Sequence, residues 1–464
     1  MQNDISDGSI GRCREVWMNR QIKLVIAIAA ATVVVSSLLV YANINFNPAG
    51  SQTGWQRPIE NFATALATDC GKVFTMDISG NVNCYNAQTG SSVWNGSSVG
   101  GYFSKGLIVS NGRVYGGTQM ATVGCLDEAT GQFQWSFSGS LGNSAYMKPA
   151  PDRIVVRNGI VYSVINIGPG VTAHNATDGT LLWEALPLQM PTSFGNITDL
   201  KNWQVSGRVL DGDPFSGNAV YALGGNWSSQ YIFKLDTENG NVIWQSGTLL
   251  QGFASSVVGS YEGQVIIQKG SQITSFNDAT GGPLWSRDID ASIYEPTING
   301  GTLYFGASDG NLYAIKLRDG NQIWKTQLDN QNLISTVNNE NITLTAYPIQ
   351  IDTTKNRIYW SFAVVNNDDE HGTYTGTIYC LDLATGKTIW TQQFEDSGGL
   401  YGPSVGMVVN KDAVYLTENT ALWVFSASNG NLARTQHFDH YILPPIKAGD
   451  QVFIAGDLYL TAYA

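Results

Sequence analysis

One phrase recurs along almost the whole chain: a turn ending in Gly, then Trp four residues later. It stands at Gly90/Trp94, Gly131/Trp135, Gly179/Trp183, Gly240/Trp244, Gly281/Trp285, Gly320/Trp324 and Gly386/Trp390, and returns at Gly430 with Arg434 in place of the Trp. Successive copies lie roughly 40 to 65 residues apart, and self-similarity at such a period marks an array of one supersecondary unit.

The unit is legible between Ile293 and Thr326. Four short runs rich in β-branched and aromatic residues are separated by Gly, Asp and Asn turns, which predicts a four-stranded antiparallel meander. The turn Gly supplies a positive φ where the chain reverses. Asp, Asn or Ser sits four residues before it in every copy except that of Lys316, placed to cap the turn backbone. The Trp lies on the last strand, where it would cover the seam with the next sheet. One such sheet cannot bury both faces alone, whereas a radial arrangement packs each between two neighbours. The fold class is therefore all-β, a β-propeller. Eight complete units run from about Phe62 to Phe438. Residues 442–463 look like the first three strands of a further unit, and Thr53-Gly54-Trp55-Gln56-Arg57 like a lone fourth strand that would close the ring and hide its edges. The literal count is nine. Long insertions precede Trp244, around Asp211 to Ser216, and Trp390, around Asn366 to Gly376.

The phrases Ile378-Tyr379-Cys380-Leu381-Asp382-Leu383-Ala384-Thr385-Gly386-Lys387-Thr388-Ile389-Trp390 and Gly306-Ala307-Ser308-Asp309-Gly310-Asn311-Leu312-Tyr313-Ala314 resemble the repeats of PQQ-like β-propellers. The resemblance covers nearly everything from residue 53 to the end. Eight blades are usual in that family, so it favours eight here, with nine as the alternative count. It implies one of two activities. Quinoprotein alcohol dehydrogenases of this fold bind PQQ and calcium on the axis; BamB-like members bind protein partners.

The residues favour the second. Quinoprotein dehydrogenases commonly carry a vicinal Cys-Cys pair, and none exists among Cys13, Cys70, Cys84, Cys125 and Cys380. Cys84, Cys125 and Cys380 share one repeat position with Ala173, Ser275 and Ala314, which reads as a slot for a small buried residue. An expected register pairing Cys84 with Thr75 disfavours a Cys70–Cys84 bridge. Of the four histidines, His437 and His440 lie close in sequence, but no ligand set completes them. Asp368-Asp369-Glu370-His371 has oxygen ligands for calcium without the spacing of a known loop, and reads as a solvated acidic insertion. No phosphate loop, nucleophile elbow or zinc motif is present. The expectation is no catalytic residue, no metal and no cofactor, with PQQ and calcium implied only under the dehydrogenase alternative.

The uncharged run from Leu24 to Tyr41 is long enough to cross a bilayer. Arg12, Arg14, Arg20 and Lys23 precede it, which puts the N-terminus in the cytoplasm and the propeller outside. The expected organisation is 1–23 cytoplasmic, 24–42 transmembrane anchor (a cleaved signal peptide being the competing reading), 43–52 tether and 53–464 propeller. Only 13% of residues are charged, against about 25% in soluble proteins. Sequons at Asn95, Asn175, Asn196, Asn226 and Asn341 suggest a glycosylated exterior. This pattern resembles archaeal cell-surface proteins. A net charge of −12 argues against nucleic acid as a partner. The expected role is a membrane-anchored binding or assembly scaffold whose partners are envelope or cell-surface proteins; glycan binding is the other alternative. The two insertions are the first places to look; Trp203, Trp227 and Trp360 fall outside the repeat position and read either as rim aromatics or as core packing.

Overall fold

The computed structural model of the chain describes residues 53–99, 104–118, 122–138, 151–165, 170–185, 215–226, 229–246, 255–328, 342–366, 374–396 and 405–463. Among them every regular element longer than a turn is a β-strand, and the strands form nine antiparallel sheets, eight of four strands and one of five. The sixth shows why. Ile293–Asn299, Thr302–Ala307, Asn311–Lys316 and Gln322–Gln327 are the four runs read from the sequence, and they pair in chain order. Blades 1 to 8 follow the chain from Ala63 to His437.

Blade 9 settles the count. Its inner three strands are Ile446–Ala448, Gln451–Gly456 and Tyr459–Tyr463, and its outer strand is Thr53–Pro58. Both faces of this sheet are packed. Phe453 and Leu460 join Val73 and Tyr85 of blade 1, while Ile454 and Tyr463 join Tyr415 and Val424 of blade 8. The favoured eight is thus corrected to nine: the two chain ends make one full blade rather than an appendage. Apolar clusters fill the remaining seams in the same way. The core of this β-propeller is a series of inter-blade layers.

Strand alternation gives the ring two unlike faces. On face A lie the turns between strands one and two and between strands three and four. These are tied together by backbone bonds, such as Ala87 N–H to Gly71 O (2.8 Å) and Asp278 N–H to Gly263 O (2.8 Å). On face B lie the turns between strands two and three and the links from blade to blade. The strand ends joined by the long connections, at Ala185 and Phe215 or at Gln245 and Ser255, all belong to face B.

Blade 7 is built differently. Arg357–Asn366, Tyr374–Asp382 and Thr388–Asp396 have 10, 9 and 9 residues, and the register from Val365↔Tyr374 to Tyr374↔Asp396 runs out toward face B. The insertion expected from Asn366 to Gly376 is therefore partly an elongated hairpin. Likewise Phe215–Ser216 is the first strand of blade 4. Residues 367–373 and 211–214 lie outside the described residues.

Candidate binding face

The Gly and Trp of the phrase serve different seams. Each Trp sends its indole N–H across to a turn carbonyl of the following blade. Trp55 reaches Ala87 O (2.7 Å), Trp94 reaches Glu128 O (2.9 Å), Trp135 reaches Ala176 O (3.3 Å) and Trp183 reaches Thr237 O (2.9 Å). Trp244 reaches Asp278 O (2.7 Å), Trp285 reaches Leu317 O (2.7 Å), Trp324 reaches Leu383 O (3.1 Å) and Trp390 reaches Ala427 O (3.1 Å). The ring then lies flat against that blade's turn Gly. A Cβ added to Gly281 would meet Trp244 Cε3 at 2.5 Å. The same contact sets Trp55 on Gly90, Trp135 on Gly179, Trp183 on Gly240, Trp285 on Gly320, Trp324 on Gly386 and Trp390 on Gly430. So a Gly and the Trp four residues after it never touch one another's seam, although the sequence presents them as one unit.

Cover by the indoles is uneven. Trp135, Trp183, Trp244, Trp324 and Trp390 are buried, whereas Trp94 and Trp285 bridge their seams while partly exposed. All these rings are engaged with the neighbouring blade. In the eighth copy Arg434 lies over the ring of Tyr463, 5.2 Å from its centroid. Asn86, Asp127, Asp236 and Asn277 cap their turns, each accepting the N–H two residues on. These bonds order the face A turns one by one.

The slot opposite the Trp is less uniform than the sequence suggested. Cys84, Cys125 and Cys380 do stand directly across from Trp94, Trp135 and Trp390. Burial pushes the thiols of Cys84 and Cys125 up to about 12 and that of Cys380 to about 11, so they are protonated filler. But Lys234 occupies the slot opposite Trp244 and Val424 the one opposite Arg434. Lys234 reaches Asp278 of the next blade at 2.6 Å, and Tyr221 donates its hydroxyl to the same carboxylate. The expected Cys84–Thr75 register is off by one: Cys84 pairs with Phe74. Cys70 and Cys84 are both free thiols.

The other singled-out residues scatter. Trp360 is buried in the seam of blades 6 and 7, its ring where a Cβ on Gly306 would be, so it is core and not rim. His174 is buried face to face with Phe137, 3.4 Å between ring centroids. His437 ends an outer strand, and among the described residues no three His, Cys, Asp or Glu side chains converge as metal ligands. Asn95 is exposed on the outer strand of blade 1; Asn175 caps its turn by accepting Thr177 N–H at 2.8 Å. Asn226 ends a strand at face B. Cys13, Asn196, Trp203, Trp227, Asn341, the acidic run to His371 and the segment 24–42 lie outside the described residues.

Among the described residues, exposed large apolar side chains sort into two groups. Ten sit on outer strands, nine beside the repeat Trp (Leu182, Ile243 and Ile323 among them) and Leu432 beside Arg434 in its place. The other five, Phe62, Ile78, Tyr441, Leu458 and Tyr459, are 38% to 46% exposed and all lie on face B at the junction of blades 9 and 1. The sequence reading missed this cluster because its members come from opposite ends of the chain. Phe62 packs on His440, with ring centroids 4.8 Å apart. Asp457 accepts the backbone N–H groups of Asp439 (2.9 Å) and His440 (2.7 Å). Ile59 N–H donates to Leu458 O (2.7 Å), and Asn61 Nδ2 to Asp77 Oδ2 (2.8 Å), beside Ile78. Asp457 and Leu458 both have positive φ, 49° and 61°. A two-residue turn of this kind favours Gly at its second position, as in Glu262-Gly263 on face A. A half-exposed Leu held there is backbone strain at a surface site, the association expected of functional positions.

Fold and face define a ring propeller of PQQ-like repeats with one face of hydrogen-bonded turns and one face that carries an exposed apolar cluster. The family model described as outer membrane protein assembly factor BamB matches residues 43–228, 228–346 and 349–439, and the chain belongs to that family. The outer membrane protein assembly factor BamB of Yersinia pestis is 23% identical over 272 residues, 56% of this chain and 60% of that protein. That of Shewanella oneidensis is 24% identical over 370 residues, 69% of this chain and 84% of that one. A tetrathionate hydrolase of Acidithiobacillus ferrooxidans is 27% identical over 277 residues, covering 56% and 52%.

Proposed function

We propose that the chain is a protein-binding scaffold of the cell envelope, held by a single N-terminal helix at 24–42 with the propeller on the extracytoplasmic side. In this reading face B takes the partner, another envelope or cell-surface protein, and no catalytic step is involved. The observation that carries it is the asymmetry of the ring. Hydrogen-bonded turns and indole bonds order face A, while the strand ends flanking the long connections and the exposed apolar cluster at the closure lie on face B. Rigid scaffolds commonly bind through such variable loops, and exposed apolar clusters with polar rims mark interaction sites. The assembly role in the names of the Yersinia and Shewanella relatives supports the same reading; those relatives are bacterial, and the archaeal likeness rests on composition and sequons alone. Asn95 is a sequon whose side chain is exposed on an outer strand, away from both faces' turns, which suits a glycan.

The test uses the full chain, extracted with its membrane. Wild type, Phe62→Ser/Tyr459→Ser and the outer-strand control Leu182→Ser/Ile243→Ser are purified in parallel, and their co-purifying proteins quantified by mass spectrometry. The expected result is a partner retained by wild type and control and lost from the face B variant. A partner lost only from the control would move the site to the ring's outer edge. Dye reduction with an alcohol or sugar after addition of PQQ and calcium would replace the scaffold by a dehydrogenase. Saturable signal on a glycan array would favour sugars over protein.

A further inference from the structure

We infer that the closure patch on face B recognises a basic polypeptide segment, one that presents Lys or Arg beside an apolar side chain. The inference rests on the scaffold reading and names the partner's chemistry. Four segments build the patch: 59–62, 77–80, 438–442 and 456–459. They contain Glu60, Asp77, Asp439 and Asp457, no Lys or Arg, and one titratable base, His440, 3.3 Å from Asp457; the exposed Arg57 borders the patch beside Glu60. The apolar surface is largely aromatic, from Phe62, Tyr441 and Tyr459, with Ile78 and Leu458 beside them. Aromatic faces next to carboxylates suit a guanidinium or ammonium group whose stem packs on the rings. The same charges repel an anionic lipid surface or a nucleic acid. Two carboxylates are already engaged inside the protein. Asp77 receives Ser79 N–H (2.9 Å) and Asn81 N–H (2.8 Å), and Asp457 holds the 439–440 backbone. Glu60 and Asp439 are the exposed acids left to meet the partner's cations.

The patch also spans the two chain ends. Phe62 follows the N-terminal outer strand, whereas Tyr441, Leu458 and Tyr459 belong to the C-terminal part. A segment lying across them would bridge the join of the ring and oppose its opening.

The probe is a synthetic peptide alternating Lys or Arg with Leu or Phe, with its Glu-substituted counterpart as control. Fluorescence anisotropy and thermal unfolding of the full, detergent-extracted chain are read together. We expect saturable binding of the basic peptide, weakened by salt, and an upward shift of the unfolding midpoint. Phe62→Ser/Tyr459→Ser and Glu60→Lys/Asp439→Lys should each raise the dissociation constant about tenfold or more, the factor that follows from losing one good contact. Glu238→Lys, an exposed face A acid, should leave it unchanged. Because the chain is acidic overall, this control separates recognition from bulk attraction. Equal binding of the acidic peptide, or equal loss in Glu238→Lys and Glu60→Lys/Asp439→Lys, overturns the inference. If peptide binding fails while the co-purifying partner still depends on Phe62 and Tyr459, the basic-segment inference falls and the scaffold reading stands. If both fail, both fall.

Discussion

At the scale of single residues the repeat Gly has two separate jobs, and substitution separates them. Gly281 and Gly263 both hold positive φ, 71° and 78°, but only Gly281 faces a ring. Gly263→Ala should cost about 1–2 kcal/mol, the strain of a Cβ in the left-handed region. Gly281→Ala adds an overlap with Trp244 and should cost about 2–4 kcal/mol. Urea unfolding of both variants checks the difference, and equal costs would refute the second job. The first job was legible in the sequence, since a turn is local. The second was not, because the Trp that touches Gly281 belongs to the previous copy of the phrase. Lys234 escaped for a related reason: its partner Asp278 is in another blade. His174 makes a pH prediction. Burial holds its pKa below the ordinary value, the Gly179 carbonyl opposing weakly by accepting the Nδ1–H at 3.1 Å. The unfolded chain then binds the proton more readily, so stability is full above about pH 6.5 and declines as pH falls below it. His174→Phe keeps the stack on Phe137 and should flatten that part of the stability curve between pH 7 and 5.

At the scale of elements, the strand Thr53–Pro58 decides whether the ring closes. It pairs with Tyr459–Tyr463, and its Trp55 reaches Ala87 and Gly90 of blade 1. Trp55→Ala should cost about 3 kcal/mol and speed amide hydrogen exchange first in blade 9; uniform loss of protection around the ring would count against closure by this strand. The strand was recognisable because it repeats the fourth-strand pattern, Trp included. Its partner fragment was recognisable too, yet the family's usual count pulled the reading toward eight, whereas burial of both faces of blade 9 requires nine. The Asp457-Leu458 turn gives the opposite kind of prediction. Leu458→Asn puts a residue tolerant of positive φ at the strained position and should stabilise the chain by about 0.5–1 kcal/mol, with weaker partner binding. A variant that is destabilised would mean that Leu458 serves the core and not the surface.

For the whole molecule, the repeat fixes a ring, and strand alternation within the repeat fixes that the ring has two faces. That much follows from the spacing of turns. What the faces present does not, because the closure patch joins residues near 60 to residues near 440 and 458, a proximity that exists only once the ring has closed. The account's central claim is that face B, at this closure, is where a partner protein sits. A photo-crosslinking amino acid placed at Tyr459 on face B, and separately at Glu238 on face A, tests it in the intact membrane-bound chain. The account predicts a discrete crosslinked polypeptide from Tyr459 and none from Glu238; the same adduct from both positions, or one from Glu238 alone, would contradict it.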